Sequence, residues 1–350
     1  MEGKSNMYEG VEVGREVKVA NKRGAGGCEG LLRVLGFVFC LSAAVILGVD
    51  KQTKIVSLQL VPTLPPINVP AHAKWYYLSA FKYFVVAHAI ACSYAVLSLL
   101  LSLGNRGGKR GNISLGIAMA DIVMVALLFS SNGAAVSIGL MGYQGNSHVQ
   151  WKKVCNVFGK FCHQAAAAFV VSALGAIAFL LLIKVESNSD RKEGGVTISA
   201  AVIIGVDKQT KMVSITVVDS LPPITIPATA KWHYLSAFTY FVVANAIASS
   251  YALISLIFSF ANHAKDKSGN LGFVIAIFDM MMVGLLFSSN GAAAAVGLIG
   301  LQGNSHVQWK KVCNVFDKFC HQGAAAVVLS FLGASAFLLL AMLTIKRLHR

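Results

Sequence analysis

The chain is written twice. "GVDKQTK" begins at Gly48 and again at Gly205, and "KWYYLSAF" at Lys74 returns as "KWHYLSAF" at Lys231. Both are displaced by 157 residues; "LLFSSNGAA", at Leu127 and again at Leu285, is displaced by 158, so a one-residue insertion lies in the basic loop between these markers. Residues 145–164, "GNSHVQWKKVCNVFGKFCHQ", recur as residues 303–322 with one change, Gly159 to Asp317. A unit of about 155 residues far exceeds the length of a solenoid repeat. Each copy is therefore a domain, and whatever one copy folds into the other must too.

Apolar runs narrow the choice of fold. Hydrophobic residues make up 56% of the chain and charged residues 13%, against about 25% charged in soluble domains, and the mean hydropathy is +0.66. A membrane-spanning helix needs roughly 20 apolar residues. Such runs occupy residues 31–49, 76–103, 113–141 and 165–183 in the first copy, and 233–260, 271–301 and 324–343 in the second. The second copy's first run is cut short: only residues 196–206 are apolar, and eleven residues rise about 16 Å, half of a bilayer core. The expected fold class is an all-α membrane protein of two tandem four-helix transmembrane bundles, the second with a truncated first helix. Residues 1–30 are expected to form a polar, cytoplasmic, disordered tail, 31–184 the first domain, 185–195 a charged linker and 196–350 the second domain.

A net charge of +15 suggests nucleic acid in a soluble protein. Here the basic residues are scattered through short loops beside the apolar runs, as in multispanning membrane proteins, so no nucleic-acid partner is expected. In the first copy eleven Lys and Arg fall on one side of the spans and six on the other, which favours an N-in, C-in arrangement. The second copy is expected to keep that orientation, because Lys265, Lys267, Lys346, Arg347 and Arg350 favour the inner side. Both cysteine-bearing loops then face outward.

Few residues carry chemistry. Arg33 in the first span and Asp121 in the third are ionisable groups in lipid, which are costly and usually paired. They are expected to lock helices one and three, the alternative being two side chains hydrated separately. Asp279 is the second copy's equivalent of Asp121. "SSNG" places Ser130, Ser131 and Asn132, and again Ser288, Ser289 and Asn290, inside the third span of each copy, where small polar groups form interhelical hydrogen bonds.

Cys155 and Cys162 recur as Cys313 and Cys320. Outside the cell a disulfide is the simplest outcome; a metal site with His148 and His163 is the alternative, although the spacing matches no ordinary zinc pattern. On one continuous helix the two Cα atoms would stand about 10.5 Å apart, too far for a bridge, so the chain must turn, with Gly159 or Asp317 at the turn. The loop "VPTLPPINVPAHA" is stiffened by Pro62, Pro65, Pro66 and Pro70 and is expected to be an extended outer segment. No nucleophile–base pair, phosphate loop or metal-ligand cluster stands out, so no enzyme activity, cofactor or metal is expected.

Four spans with both ends inside, an arginine in the first, an aspartate in the third and paired cysteines in the second outer loop resemble the plant Casparian strip membrane domain protein-like (CASP-like) family, related to the MARVEL domain. "GVDKQTK", "AKWHYLSAF", "LLFSSNGAA" and "GNSHVQWKKVCNVF" are most similar to its 1E branch. The resemblance implies a multi-pass plasma-membrane protein, normally a single four-span unit, that forms homo- and hetero-oligomers with related proteins in the bilayer. Founding members of the family form a membrane scaffold that localises cell-wall modification. A non-enzymatic scaffold is thus the leading expectation for function, with a transporter or channel module as the alternative.

Overall fold

The computed structural model describes residues 29–58, 66–104, 111–184, 208–215, 224–261 and 269–348. Residues 1–28, which include Cys28, the linker at 185–195 and the short run at 196–206 lie outside the described residues, as do Pro62 and Pro65.

Seven helices among the described residues are long and apolar enough to cross a membrane. They are α1 (Glu29–Gly48), α2 (Ser79–Gly104), α3 (Gly111–Gln144) and α4 (Gly159–Lys184) in the first copy, and α5 (Ser236–Ala261), α6 (Gly269–Gln302) and α7 (Asp317–Leu348) in the second. The chain is an all-α membrane protein of two tandem bundles, embedded in a lipid bilayer. The sorting of side chains on α2 reflects that solvent. Ala87, Ala91 and Ala95, one turn apart, are buried, while Val86, Ile90, Leu97 and Leu100 are exposed on the perimeter. Small residues inside let helices approach closely, and bulky apolar residues outside meet acyl chains.

The proline-rich loops are the main addition to this scheme. Each is a two-stranded hairpin, β1 (Lys51–Leu58) with β2 (Ile67–Lys74) and β3 (Lys208–Ile215) with β4 (Ile224–Lys231), both antiparallel. Pro70 pairs with Ile55; a two-stranded ribbon has only edge strands, where a missing N–H is tolerated. Such a ribbon is marginal alone. It is anchored by the Phe161 N–H donating to Gln52 Oε1 (2.9 Å) and the Trp75 N–H donating to the Asp50 carbonyl (3.3 Å).

The two copies pack side by side, with α3 against α6. These helices are parallel. A side chain at Gly284 would meet the Phe129 ring, one at Gly133 would meet Ser288, and Ser137 Oγ lies 3.4 Å from the Ala292 carbonyl, so both residue numbers rise together along the seam. Both hairpins and both cysteine loops therefore sit at the same end. At that end the copies share one buried cluster, with Phe81, Phe84, Trp151 and Phe161 from the first and Phe238, Phe241, Trp309 and Phe319 from the second.

Candidate functional site

At the opposite end, α1, α2 and α3 are tied by one charged cluster. Arg33 donates from Nη2 to Asp121 Oδ2 (3.0 Å) and from Nη1 to Asp121 Oδ1 (3.1 Å), a two-pronged contact. The same guanidinium donates to Ser98 Oγ on α2 (3.1 Å) and to Glu29 Oε1 one turn earlier on α1 (3.1 Å). The Tyr94 hydroxyl donates to Asp121 Oδ1 (2.6 Å). Arg33 and Asp121 are each 3% exposed. The planar fork of arginine suits this role, since it satisfies both carboxylate oxygens and keeps donors for two other helical positions. Asp121 is ten residues into α3, deeper than Arg33 in α1. At 34 residues α3 is about 51 Å long, more than a core of about 30 Å requires, which leaves room for its start to extend beyond the core with the carboxylate level with the arginine. In the second copy the Tyr251 hydroxyl donates to Asp279 Oδ1 (3.0 Å). The position in register with Arg33 is Asp190, outside the described residues.

Of the six polar residues in the two "SSNG" segments, the asparagines make the interhelical hydrogen bonds. Asn132 Nδ2 donates to Ser172 Oγ on α4 (2.7 Å), and Asn290 Nδ2 to Ser330 Oγ on α7 (3.0 Å). Each triad closes on the second helix of its unit, through His88 Nε2 at 2.5 Å from Ser172 Oγ and through Ser330 Oγ donating to Asn245 Oδ1 (2.8 Å). Ser131 and Ser289 instead donate to their own helices, at the Leu128 and Leu286 carbonyls (3.0 Å each). A hydroxyl one turn from a free lone pair on its own backbone is satisfied there without a neighbour. Ser130 and Ser288 contribute their peptide carbonyls to the seam, each facing the glycine of the other copy. Ser172, Ser330, His88 and Asn245 belong to these triads but were not singled out by sequence. Their one trace there is position, since "YFVVAHAI" and "YFVVANAI" put a polar residue at the same place in both copies.

In the loops after α3 and α6 Cys155 is bonded to Cys162 and Cys313 to Cys320, each with Cα atoms 5.7 Å apart. Bonded to each other, the four sulfurs are not available to a metal. The chain does turn between the partners, but not by positive φ at Gly159 or Asp317. These two residues start α4 and α7, and a turn just before each helix brings the cysteines together. Positive φ falls earlier, at Gly145 and Gln150 and again at Gly303 and Gln308. At Gly145 an added Cβ would press on the Trp151 carbonyl, so glycine is required there twice over. Asp317 at a helix start is also favourably placed for the dipole.

Between α1 and β1 sits Asp50, 1% exposed, with Oδ2 lacking a hydrogen-bond partner among the described residues. Burial pushes its carboxyl up to about 7, an effect partly offset by the nearby Lys160 ammonium.

The loops also join the copies. The Trp151 and Trp309 rings stack at 5.5 Å. Trp151 Nε1 donates to the Lys310 carbonyl and Trp309 Nε1 to the Lys152 carbonyl, both at 3.1 Å.

A four-span unit with an arginine on its first helix, an aspartate on its third and a disulfide loop after the third is thus present with its partners in contact. The Casparian strip membrane protein domain matches the sequence twice, over residues 22–178 and 194–336. The chain belongs to this family. CASP-like protein 1E2 of Vitis vinifera is 63% identical over 169 residues, 48% of this chain and 86% of the relative. CASP-like protein 1E1 of Populus trichocarpa is 57% identical over 181 residues, 52% of this chain and 91% of the relative. CASP-like protein 1E1 of Arabidopsis thaliana is 46% identical over 182 residues, 52% of this chain and 95% of the relative. Each of these CASP-like relatives is matched over most of its length by about half of this chain, so this chain is a tandem duplicate of a 1E-type CASP-like unit. No solved structure matches.

Proposed function

We propose that this CASP-like chain is a non-enzymatic plasma-membrane scaffold. It associates laterally with itself and with related four-span proteins, and organises a membrane domain or cell-wall-modifying partners. The observation that carries this reading is the seam between the copies. Two membrane-spanning surfaces meet there through close helix contact, and the described perimeter keeps apolar residues such as Val86, Ile90, Val170 and Val328 facing outward. Proteins that assemble sideways in lipid do so through packing of this kind. The buried polar groups of each unit are engaged mainly with one another, as in a structural core.

Two differently tagged full-length chains, co-expressed and extracted from plasma membrane, are expected to co-purify. A strictly monomeric species in several mild detergents would overturn the assignment. Solute or ion flux by the purified protein in liposomes would move it toward a transporter.

A further inference from the structure

Four kinds of contact across the seam between the copies are reciprocal; the Ser137–Ala292 and Gly284–Phe129 contacts are not, because the matching positions are Ala295 and Ala126. An added Cβ at Gly133 would strike the Ser288 carbonyl, and one at Gly291 would strike the Ser130 carbonyl. Each tryptophan donates to the other copy's lysine carbonyl at the same 3.1 Å. Asn146 Nδ2 donates to the Tyr234 carbonyl (2.6 Å), and Asn304 Nδ2 to the Tyr77 carbonyl (2.8 Å). His148 stacks on Tyr234 and His306 on Tyr77, both with ring centroids 3.7 Å apart. Subtracting the repeat displacement of 157 or 158 turns every contact in this set into its mate. The tryptophan pair maps onto itself and so marks a pseudo-two-fold axis.

A fused pair does not require this. When two domains are tethered, one surface need only fit the other; a donor on the first copy and an acceptor on the second would suffice. Here each copy carries both halves of each of these four contacts: the glycine and the backbone that fills it, the indole N–H and the carbonyl that receives it, the asparagine amide and the tyrosine carbonyl, the imidazole and the phenol ring. A surface bearing both halves of its contacts is isologous and fits a second copy of itself. The fit also depends on backbone approach at glycine, by which helices pack closely in lipid.

We infer that this face is a self-pairing surface, by which one four-span unit binds a like unit in parallel, two-fold fashion even when no peptide links them. The partner is a second copy of the unit, whether from another chain of this protein or from a single-unit relative of the same sequence. This inference rests on the scaffold reading and names the face that does the work. In the full chain the face is satisfied internally, and exchange between chains joins the first copy of one to the first copy of another.

The unit at residues 1–184 is suited to a test, because it contains its own charge pair and disulfide and spans about the length of a whole relative. Two tagged forms of residues 1–184, co-expressed in membranes, are expected to co-purify as a dimer. Gly133→Leu is expected to weaken that dimer by about tenfold or more. The three atoms nearest an added Cβ at Gly133 all belong to Ser288, so in a single unit the leucine is expected to face lipid and leave the fold standing. An intact Cys155–Cys162 bond and unchanged melting report that fold. A folded but monomeric wild-type unit, or a Gly133→Leu unit that dimerises as well as wild type, overturns the inference.

A second measurement uses the full chain. Isotope-mixed protein in membranes, treated with a short amine cross-linker, is expected to give Lys152–Lys152 links between chains, and their absence overturns exchange between chains. If full-length chains co-purify while single units stay monomeric, lateral assembly uses another face; the scaffold then stands and this inference falls.

Discussion

Removing either partner of the Arg33–Asp121 pair strands a charge in a site closed to water, and the geometry says which loss is worse. Arg33→Leu leaves Asp121 with the Tyr94 hydroxyl as its side-chain partner among the described residues. Asp121→Leu leaves Arg33 with both Glu29 and Ser98, and Glu29 is 39% exposed and can follow the guanidinium toward water. Breaking a buried pair costs about 3–5 kcal/mol, so Arg33→Leu is expected near the top of that range and Asp121→Leu near the bottom. The double variant strands nothing. Replacing a buried pair by apolar side chains is often neutral, so Arg33→Leu/Asp121→Leu is expected within about 1 kcal/mol of wild type. Equilibrium unfolding in mixed micelles, followed by tryptophan fluorescence, measures all four corners of the cycle. Two single variants within about 0.5 kcal/mol of wild type would show that the pair contributes nothing; a double variant that loses the sum of both would show two independent effects rather than a pair.

Two further outcomes follow from the end that carries the hairpins and cysteine loops. Asp50 has its carboxyl raised to about 7 from an ordinary value near 3.9, so the folded state holds a proton that the unfolded state releases. The associated stability is full below about pH 4 and is lost as pH rises through 7, an effect of up to about 4 kcal/mol. The melting temperature is expected to fall between pH 5 and pH 8, and Asp50→Asn to remove much of that fall; a variant whose pH profile overlays wild type would rule this out. Because α3 and α6 are parallel, Cys155, Cys162, Cys313 and Cys320 are all expected to react with an impermeant maleimide on intact cells after, and not before, external reduction. Labelling of the second pair only after permeabilisation would invert the second copy.

Much of this protein was legible in its sequence. Apolar runs, their lengths and their repetition are properties of residues in order, so the spans and the duplication could be read directly. The same holds for Arg33 and Asp121, since any charge in lipid demands a partner and few partners exist. The cysteine pairs were constrained by reach: seven residues of straight helix exceed a disulfide, which required a turn, though not where that turn would fall. The hairpins were hidden because proline-rich composition signals extension without saying what the extended chain lies against.

What tertiary structure alone decided is the rotation of each helix about its axis. A helix in lipid is apolar all round, so hydropathy marks no stripe that must face inward. Which side of α3 meets α6 is settled by fit, where Gly133 and Gly291 admit the opposing backbone. That fit sets the tryptophan stack, the histidine–tyrosine pairs and the shared core at the loop end. The string repeated at residues 145–164 and 303–322 carries the loop contacts, yet repetition tells only that two surfaces are alike. That they face one another follows from van der Waals contacts and from hydrogen bonds between residues 88 to 227 positions apart, which no local pattern encodes.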